Sequence, residues 1–489
     1  MPLSDYEIVI GLEVHAELKT DSKLFCACAA EFGAMPNSRV CPVCLGLPGA
    51  LPVLNEQALD YTIVAGLALN CEIAELSKFD RKQYFYPDLP KAYQISQSDQ
   101  PFCSDGWVEI TAPDGGTGAT KRVGIIRVHL EEEAGKTVYS GTGIRDAADA
   151  LIDYNRCGIP LVEIVSAPDL RSPGEAKAYL EKLKTLLLYT EVSDCKMEEG
   201  SLRCDANISL RPLGEKRYGT LIEIKNMNSF RAVEAALEYE AQRQAKLLDE
   251  GLKISRQTRA WDEREKITVL MRSKEETGDY RYFPDPDLPP VTIDPGRVEK
   301  LRRTLPEFPD SRRRRYISQW GLPEYDAGLL SASQTLAEFF ESTVNLYGEA
   351  KTVSNWVMGE VMRLANREGL EFVQLKLAPE GLAELLKLID TGKINGKTAK
   401  TVLERMLLTG KDPERIVMEE GLTQISDSGE LEKLVDEVLD INPQSVADYL
   451  RGRAQALRFL VGQTMKATQG KANPGMVNRL LKQELERRR

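Results

Sequence analysis

The stretch Tyr6-Glu-Ile-Val-Ile-Gly-Leu-Glu-Val-His-Ala-Glu-Leu18 decides the fold of the first part of the chain. From residue 8 onward its even positions are all apolar, while Glu13, His15 and Glu17 occupy odd positions. This period of two predicts a half-buried β-strand with one apolar face and one polar face. Glu13 and His15 then project side by side as a carboxylate–imidazole pair that suits a divalent cation. A solvent-facing sheet edge is the alternative explanation.

The composition is that of a globular protein with several domains. The chain has 489 residues, of which 42% are hydrophobic and 28% charged, so it is too long for one ordinary core. No apolar run approaches the roughly 18 residues of a membrane span, and the acidic N-terminus differs from a signal peptide. Nine cysteines, an odd number, favour a reducing compartment over a disulfide framework. We therefore expect a cytoplasmic protein without a membrane segment.

The charge of the chain is unevenly distributed. Its formal net charge is −11, which gives no support to bulk nucleic-acid binding. The segment 451–489 nevertheless contains ten basic residues, opposed only by Glu484 and Glu486. A basic end on an acidic protein predicts a polyanionic partner that binds at that end. A solvated helical face is the alternative.

Two cysteine pairs follow the first strand, and about a dozen residues separate them. Their members are Cys26, Cys28, Cys41 and Cys44. This pattern is typical of a tetrahedral zinc site, because four soft thiolate ligands favour Zn²⁺ over hard cations. Four thiolates leave no open coordination position, so the zinc would be structural and would hold a long loop beside the first strand. A set of buried free thiols is the alternative.

Further carboxylates occur where strands are predicted. The predicted strand 124–130 leads directly into Glu131, Glu132 and Glu133, and three adjacent carboxylates repel each other unless a cation or solvent relieves them. Glu163 lies inside an otherwise apolar strand, where a buried charge requires a partner. Together these observations favour a metal over a merely solvated surface.

Two more segments carry polar groups that suit a phosphate substrate. The strand 201–211 alternates without a fault and places Arg203, Asp205 and Asn207 on its outward face. Lys82 lies beside three consecutive aromatic residues, an arrangement that can hold phosphates and stack a base, although a packed loop explains it equally well. Gly-Lys-Thr runs at 135–137 and 396–398 lack the earlier glycine of a Walker A motif. Any nucleotide site is therefore of another kind.

The organisation of the chain changes near residue 296. Before it, alternating strands dominate, and after it helical periodicity continues to the end. We therefore predict an α+β protein with three domains. They are a β-rich domain at 1–295 with an inserted zinc loop at 26–44, an all-helical domain at 296–408 and a small helical tail domain at 409–489.

Four long stretches resemble the B subunits of tRNA-dependent amidotransferases. They are Ile10-Gly-Leu-Glu-Val-His15, Lys78-Phe-Asp-Arg-Lys82 with Tyr84-Phe-Tyr-Pro-Asp88, Lys196-Met-Glu-Glu-Gly-Ser-Leu-Arg-Cys-Asp-Ala-Asn207, and Asp279-Tyr-Arg-Tyr-Phe-Pro-Asp-Pro-Asp287. The resemblance covers nearly the whole chain, and its motifs are contiguous. Enzymes of this family convert Glu-tRNA(Gln), or Asp-tRNA(Asn), to the amide form for protein synthesis.

The resemblance implies a β-rich cradle domain, a helical domain and a helical tail that grips the tRNA. It also implies a ligase with glutamine as amido-nitrogen donor. ATP phosphorylates the side-chain carboxylate of the misacylated residue, and ammonia then displaces the phosphate. An amidase A subunit supplies the ammonia, and a small C subunit completes the heterotrimer. The chain itself shows no nucleophile arrangement for glutamine hydrolysis, which agrees with this division of labour.

The resemblance also assigns residues to a magnesium site. The implied ligands are Glu13, His15, Glu132 and Glu163. Strand alternation alone would pair His129 with Glu131 rather than Glu132, so the choice among the three glutamates rests on the resemblance.

Other residues are implied to act on the nucleotide. Lys82 is implied to approach the phosphates, and Asp205 and Glu198, with Arg203 and Asn207, to bind ATP or a second cation. Family members differ in keeping the cysteine quartet, and its presence here implies zinc.

Two other functions stay open. The chain could be a non-catalytic, zinc-bearing subunit that binds tRNA while its partner does the chemistry, although polar residues such as Glu13, His15 and Glu163 on strand faces argue against this. A metal-dependent hydrolase is the second alternative, and it would turn over without ATP.

Overall fold

The computed structural model describes residues 5–111, 120–140, 148–273, 280–423, 428–468 and 472–488. The chain forms two compact units, Met1–Pro306 and Glu307–Arg489. The described part of the first unit mixes strands with helices, and that of the second is helical. The α+β prediction is confirmed at this level. Asp279, the first residue of the fourth quoted stretch, lies outside the described residues.

The strands that the structure describes lie in the first unit. They are β1 (Tyr6–Glu17), β2 (Glu72–Ile73), β3 (Leu76–Ser77), β4 (Asp80–Gln83), β5 (Tyr93–Ser96), β6 (Cys103–Thr111), β7 (Thr120–Glu132), β8 (Lys136–Tyr139), β9 (Ala150–Asp153), β10 (Pro160–Ser166), β11 (Leu202–Pro212), β12 (Ile222–Lys225), β13 (Gln257–Asp262), β14 (Ile267–Ser273), β15 (Phe283–Pro284) and β16 (Val291–Thr292).

Nine strands form the main sheet, in the order β14-β13-β12-β11-β1-β10-β7-β6-β2. The opening stretch of the sequence is its central strand, antiparallel to β10 and β11. Its alternation explains this position, because Ile10, Leu12, Val14 and Ala16 are at most 1% exposed and the intervening residues lie on the other face. Neighbouring strands of this sheet are antiparallel except for the parallel pair β12–β13.

Helices α1 (Glu56–Ala68), α2 (Pro173–Tyr189) and α3 (Phe230–Asp249) pack against this sheet, and α4 (Pro295–Arg302) packs on α1. Ser172 caps α2 as predicted, since its hydroxyl accepts a hydrogen bond from the Glu175 backbone N–H. Tyr179 of α2 approaches Cys204 of β11 on the apolar side of the sheet. The polar side chains at the odd positions of β1, such as Glu13 and His15, lie on the opposite face of the sheet.

The segment around Lys82, which is polar and rich in aromatic residues, forms strands of its own. β4 pairs with β5 and with β15, and Lys82 lies opposite Gln94. The small sheet brings the Tyr280–Pro284 region to β4, where the Gln83 N–H donates to the Tyr280 carbonyl oxygen. These contacts join two stretches that are far apart in the sequence.

The second unit is built from short helices. They are α5 (Pro309–Trp320), α6 (Glu324–Leu330), α7 (Gln334–Tyr347), α8 (Ala350–Trp356), α9 (Met362–Glu368), α10 (Pro379–Asp390), α11 (Gly396–Thr409), α12 (Pro413–Glu419), α13 (Ser428–Ile441), α14 (Pro443–Leu450), α15 (Gln455–Ala467) and α16 (Pro474–Arg487). A π-helical turn, Val357–Val361, joins α8 to α9. No helix in the described ranges is long and apolar enough to cross a membrane.

Two separate apolar clusters organise the second unit. The first contains buried residues from Tyr316 to Val417, and Leu422 packs against it. The second begins at Leu431 and ends at Leu485. Helix α12 therefore packs with the helices that precede it in the chain, and the boundary between the clusters falls after it.

Candidate functional site

Three side chains on the polar face of the main sheet converge on one point. His15 lies on β1, Glu163 on β10 and Glu131 on β7, and their donor atoms all lie within 4.8 Å of one another. The His15 Nε2 atom lies 3.4 Å from a Glu163 carboxylate oxygen and 3.8 Å from one of Glu131. One imidazole and two carboxylates form a donor set that suits a divalent cation.

Strand register explains this convergence. His15 is directly opposite Glu163, and Glu163 is directly opposite His129. Because side chains alternate along β7, Glu131 projects from the same face as His129. The His129 Nε2 atom lies 3.3 Å from Glu163 and 3.6 Å from Glu131. Both histidines of the chain thus border the same two carboxylates.

The structure places Glu132, one of the four magnesium ligands implied by the resemblance, outside this group of three. Glu132 follows Glu131 and projects from the other face of β7, as alternation requires. Its carboxylate is buried, forms an ion pair with Lys91 and accepts a hydrogen bond of 2.9 Å from the Ile95 backbone N–H. Glu131 is therefore the carboxylate of this segment that stands beside His15 and Glu163.

Glu13 lies beside the group of three but outside it. Its carboxylate accepts a hydrogen bond of 2.8 Å from the Asn207 side-chain amide, and its backbone pairs with Asp205. Burial and the nearby negative charge of Glu163 raise the pKa of Glu13. A cation near Glu163 would offset the negative charge of that carboxylate and so lower the pKa of Glu13.

Charge accumulates around the two histidines. Burial alone would raise the pKa of Glu163, but His129 and His15 hold that pKa well below its usual range. Burial opposes the charged form of His129, yet Glu163 and Glu131 raise its pKa to about 9. The pKa of His15 is raised for the same reason. The group therefore attracts positive charge, which either protons or a divalent cation can supply.

Lys82 approaches the same carboxylates from the small sheet. Its ammonium group lies 5.1 Å from the centre of the Tyr280 ring and 5.8 Å from that of Tyr84. Burial lowers its pKa, but Glu131, and to a lesser extent Glu163, outweigh burial and raise it. Lys82 is therefore a fixed cation between aromatic rings at the edge of the group.

The other predicted residues lie on β11 and just before it. Asp205 forms an ion pair with Lys225, and Arg203 forms one with Glu133. Glu198 is exposed in the turn before β11, where it makes no bond to another described residue. The structure thus brings Arg203, Asp205 and Asn207 to the polar face and leaves Glu198 apart.

Glu17 is a member of this face to which the sequence assigned no role. It lies on β1 two positions after His15 and lines a cavity of about 370 Å³ together with Arg156 and Asp194. Burial, reinforced by the charge of Glu133, raises the pKa of Glu17 to about 7. Its odd position in the opening strand was the signal that could have identified it.

The Glu17→Gln variant is expected to stabilise the protein more at pH 8 than at pH 5. Because the pKa of Glu17 rises from 4.5 to about 7 on folding, its proton stabilises the folded state at low pH, and that contribution is lost as pH rises through 7. We expect a gain of about 2 kcal/mol at pH 8, allowing for solvent screening. Thermal unfolding midpoints at both pH values measure it. Glu109→Gln, on β6, is the control, and equal shifts in both variants would contradict the prediction.

The four cysteines of the predicted zinc loop come together. The sulfur atoms of Cys26, Cys28, Cys41 and Cys44 all lie within 4.8 Å of one another. The Cys41 backbone N–H points to the Cys44 sulfur at 3.2 Å. A hydrogen bond from Cys26, the Cys41 backbone and Lys23 lower the pKa of Cys44 to about 4. Cys44 therefore has the thiolate character that a zinc ligand needs. Before a metal binds, the hydrogen bond to Cys44 raises the pKa of Cys26, and burial raises that of Cys28, so a bound metal would have to displace their protons.

The burial of Lys23 is a second observation on whether the four cysteines suit a zinc ion. Its side chain is 0% exposed, and its ammonium group lies 3.7 Å from the Cys44 sulfur and 2.8 Å from the Arg39 carbonyl oxygen. A fully buried ammonium group requires negative charge nearby. Thiolates bound to a metal carry that charge, whereas four neutral thiols would leave Lys23 without a counter-ion. The residues present fit a zinc site.

Comparison with known proteins agrees with this geometry. The family model described as the GatB/GatE catalytic domain matches residues 8–299, and the GatB domain model matches residues 338–485. A protein of Carboxydothermus hydrogenoformans is 56% identical over 483 residues, which cover 99% of each chain. One of Caldanaerobacter subterraneus subsp. tengcongensis is 57% identical over 482 residues, 99% of this chain and 100% of the relative. Both relatives are named as the B subunit of an aspartyl/glutamyl-tRNA(Asn/Gln) amidotransferase. The chain therefore belongs to the GatB family, the B subunits of tRNA-dependent amidotransferases.

Proposed function

We propose that this chain is the B subunit that carries out ATP-dependent amidation of misacylated tRNA. Its substrate is Glu-tRNA(Gln), Asp-tRNA(Asn) or both, and its products are Gln-tRNA(Gln) and Asn-tRNA(Asn). The observation that carries the proposal is the group formed by His15, Glu131 and Glu163, which lies within the segment that matches the GatB/GatE catalytic domain. The reaction is that of a carbon–nitrogen ligase with glutamine as the source of the amide nitrogen.

The chemistry explains why such a group is needed. A carboxylate is a poor electrophile because its leaving group would be oxide. Transfer of a phosphoryl group from ATP gives an acyl phosphate, and ammonia then displaces phosphate to form the amide. Both steps concentrate negative charge near one carbonyl carbon, so fixed cationic groups accelerate them. Lys82 and Arg203 are the side chains that we assign to this role.

We assign His15, Glu131 and Glu163 as the protein ligands of Mg²⁺, with Glu13 adjacent to them. The donor set of imidazole and carboxylates and the raised pKa of Glu13 support this assignment. When bound, the ion neutralises phosphate charge during transfer. The residues themselves orient the ion, and Glu13 holds Asn207 on the neighbouring strand.

The nucleotide contacts are proposed on the adjoining strand. Asp205 and Asn207 on β11 lie beside Glu13 and are assigned to ATP or a second cation. Arg203 is opposite His15 on the same strand. Glu198 keeps a nucleotide role only if its exposed turn approaches the substrate when the substrate binds.

We further propose that the cysteine quartet binds a structural Zn²⁺ ion. The distances among the sulfur atoms and the buried Lys23 support it. Because the nine cysteines are odd in number and do not form a disulfide framework pattern in the sequence, we assign the protein to a reducing compartment, the cytoplasm.

The Lys23→Met variant is expected to bind zinc about 10- to 100-fold more weakly than the wild type, because it removes the buried cation beside the thiolates. Methionine keeps the length of the stem and fills the same space. Zinc transfer to a colorimetric chelator measures the affinity. Lys19→Met, at a neighbouring exposed lysine, is the matched control. Identical zinc affinity in the three proteins would contradict a role of Lys23 at the metal.

The domains are proposed to divide the work. Residues 1–295 form the cradle with the reaction site, 296–408 a helical domain, and 409–489 a tail that binds tRNA. The separate apolar cluster from Leu431 to Leu485 and the basic residues after 450 support an autonomous tail. An amidase A subunit and a small C subunit are proposed as partners in a heterotrimer, since the resemblance implies them and the sequence contains no recognisable nucleophile arrangement for glutamine hydrolysis.

The experiment that tests this function uses the complex with its amidase and small subunits. Glu-tRNA(Gln) and ATP–Mg²⁺ are supplied with ammonium chloride in place of glutamine, and Gln-tRNA(Gln) is quantified with and without ATP. We expect product only in the presence of ATP. Turnover of the aminoacyl-tRNA without ATP would instead support a metal-dependent hydrolase. Failure to form product under any condition would contradict the proposal.

A further inference from the structure

The end of β7 is tied to β5 by hydrogen bonds on both of its faces. On one face, the Ser96 hydroxyl donates to Glu131 at 3.0 Å. On the other, the Ile95 backbone N–H donates to the Glu132 carboxylate at 2.9 Å, and the Gln94 side-chain amide donates to the Glu132 carbonyl oxygen at 2.8 Å. Three consecutive residues of β5 therefore hold two consecutive glutamates.

A buried ion pair closes this connection. Lys91 forms it with Glu132, and their side chains are only 6% and 3% exposed. A buried ion pair often stabilises a fold less than apolar residues of the same size would, because both charges lose their hydration. We therefore look for the role of this pair in the positions of the segments that it connects. Glu132 receives both the Lys91 ammonium group and the Ile95 N–H on one oxygen atom. The pair therefore fixes the distance between the 91–95 segment and the end of β7.

The 91–95 segment includes the start of β5, which is hydrogen-bonded to β4, the strand that contains Lys82. In the small sheet, Lys82 of β4 is directly opposite Gln94 of β5. A displacement of β5 relative to β7 would therefore move Lys82 relative to Glu131. Lys82 and Glu131 carry opposite charges, so a change in their separation would change their mutual attraction.

The zinc loop supports Lys91 from the other side. Lys91, Glu132, Cys26 and Cys44 line one cavity of about 170 Å³. Gly46 packs so closely that a β-carbon there would lie 2.2 Å from Lys91 Cγ. Only glycine leaves room for the buried lysine stem at this position. The region around the zinc loop and the end of β7 thus both contact Lys91.

We propose that Lys91 and Glu132 are positioning residues, and that their ion pair, braced by Gly46 two residues after the zinc loop, sets the spacing between Lys82 and Glu131. This inference rests on the proposed function of the His15 group. Glu132, which the resemblance implies as a magnesium ligand, has a different role in this proposal: it holds Lys91. The zinc loop and the turn after it also have a function beyond their own folding, since Cys44 and Gly46 border Lys91, which pairs with Glu132.

The test compares variants of Lys91 and Glu132 in the complex with its partner subunits, with ammonium chloride as nitrogen source. Lys91→Met and Glu132→Gln each leave one buried charge unpaired, so both should lower the thermal midpoint as well as kcat. The double variant removes both charges, and its glutamine can still accept from Ile95. We expect the double variant to regain the thermal midpoint while kcat stays about 10- to 100-fold below wild type, with KM for tRNA unchanged. A double variant with wild-type kcat would overturn the proposal.

A second pair of variants tests the brace without touching a charge. Gly46→Ala places a methyl group against Lys91. Gly49, three residues further along, also has a positive φ, +83° against +65° for Gly46, but a β-carbon there would meet no atom within 4 Å, so Gly49→Ala is the control for the backbone effect. We expect Gly46→Ala to lower kcat at least about tenfold relative to Gly49→Ala, at equal zinc content. Equal kcat in the two variants would overturn the brace. Glu163→Gln, measured alongside, separates the hypotheses, because full activity there would reject the proposed function itself.

Discussion

The Glu163→Gln variant is expected to lose about 10²–10³-fold in amidation rate while it binds tRNA as the wild type does. Glu163 is the carboxylate that touches both histidines and faces Glu131 across the group. Glutamine keeps the shape and an oxygen atom but removes the negative charge that would attract a divalent cation. The loss should therefore appear in kcat and in the Mg²⁺ concentration that gives half-maximal rate, with little effect on KM for tRNA.

The measurement is formation of Gln-tRNA(Gln) from ammonium chloride, ATP–Mg²⁺ and Glu-tRNA(Gln) by the complete complex. Ammonium chloride removes any dependence on the glutaminase step. Glu109→Gln makes the same chemical change on β6 of the same sheet and should leave the rate unchanged. His15→Ala and Glu13→Ala are expected to act in the same direction as Glu163→Gln. If Glu163→Gln matches the wild type, the polar face is scaffold and the chain is a non-catalytic tRNA-binding subunit.

Removal of residues 424–489 is expected to raise KM for tRNA at least about tenfold while kcat at saturating tRNA is retained. The deletion removes the second apolar cluster together with the basic segment and leaves the first cluster, with Val417 and Leu422, intact. Removal from residue 409, the boundary predicted from the sequence, would also take α12 away from the first cluster. The shorter deletion is therefore the cleaner test. Unchanged KM would contradict the tail assignment.

Charge reversal in the tail tests the same assignment without a deletion. Lys466, Arg479 and Lys482 are exposed and make no ion pair with a described residue. Arg488, by contrast, is already paired with Asp436 and Asp440. Glutamate at the three unpaired positions should weaken tRNA binding and lower the salt dependence of the binding constant by about one unit for each lost phosphate contact. Arg488→Gln should leave that salt dependence nearly unchanged, and an equal effect of both variants would reject a specific phosphate surface.

Local periodicity explains why several elements were predictable. The alternation of β1 is a property of neighbouring residues, so the sequence predicted both its apolar face and the outward direction of Glu13 and His15. The cap of α2 by Ser172 and the cysteine spacing are local in the same sense. The long helical C-terminal region followed from the absence of alternating segments after residue 296.

Local periodicity could not predict which of Glu131 and Glu132 lies beside His15 and Glu163. Alternation puts Glu131 and His129 on the same face of β7. Nothing local to the segment tells whether that face or the opposite one is the face of the sheet on which His15 lies. That depends on the register of β7 with β10 and of β10 with β1, and each register is set by hydrogen bonds between distant segments. The resemblance implies Glu132, whereas the structure places Glu131 beside His15 and Glu163.

The sequence by itself determined the strand faces, the cysteine quartet, the change to helices and the family. Only the tertiary structure decided that His15, Glu131 and Glu163 share one site, that Lys23 is buried beside the quartet and that Lys91 pairs with Glu132. The physical reason is that the hydrophobic pattern and the helix caps depend on residues a few positions apart. The role of a buried charge depends instead on its partner, which tertiary packing brings from a distant part of the sequence.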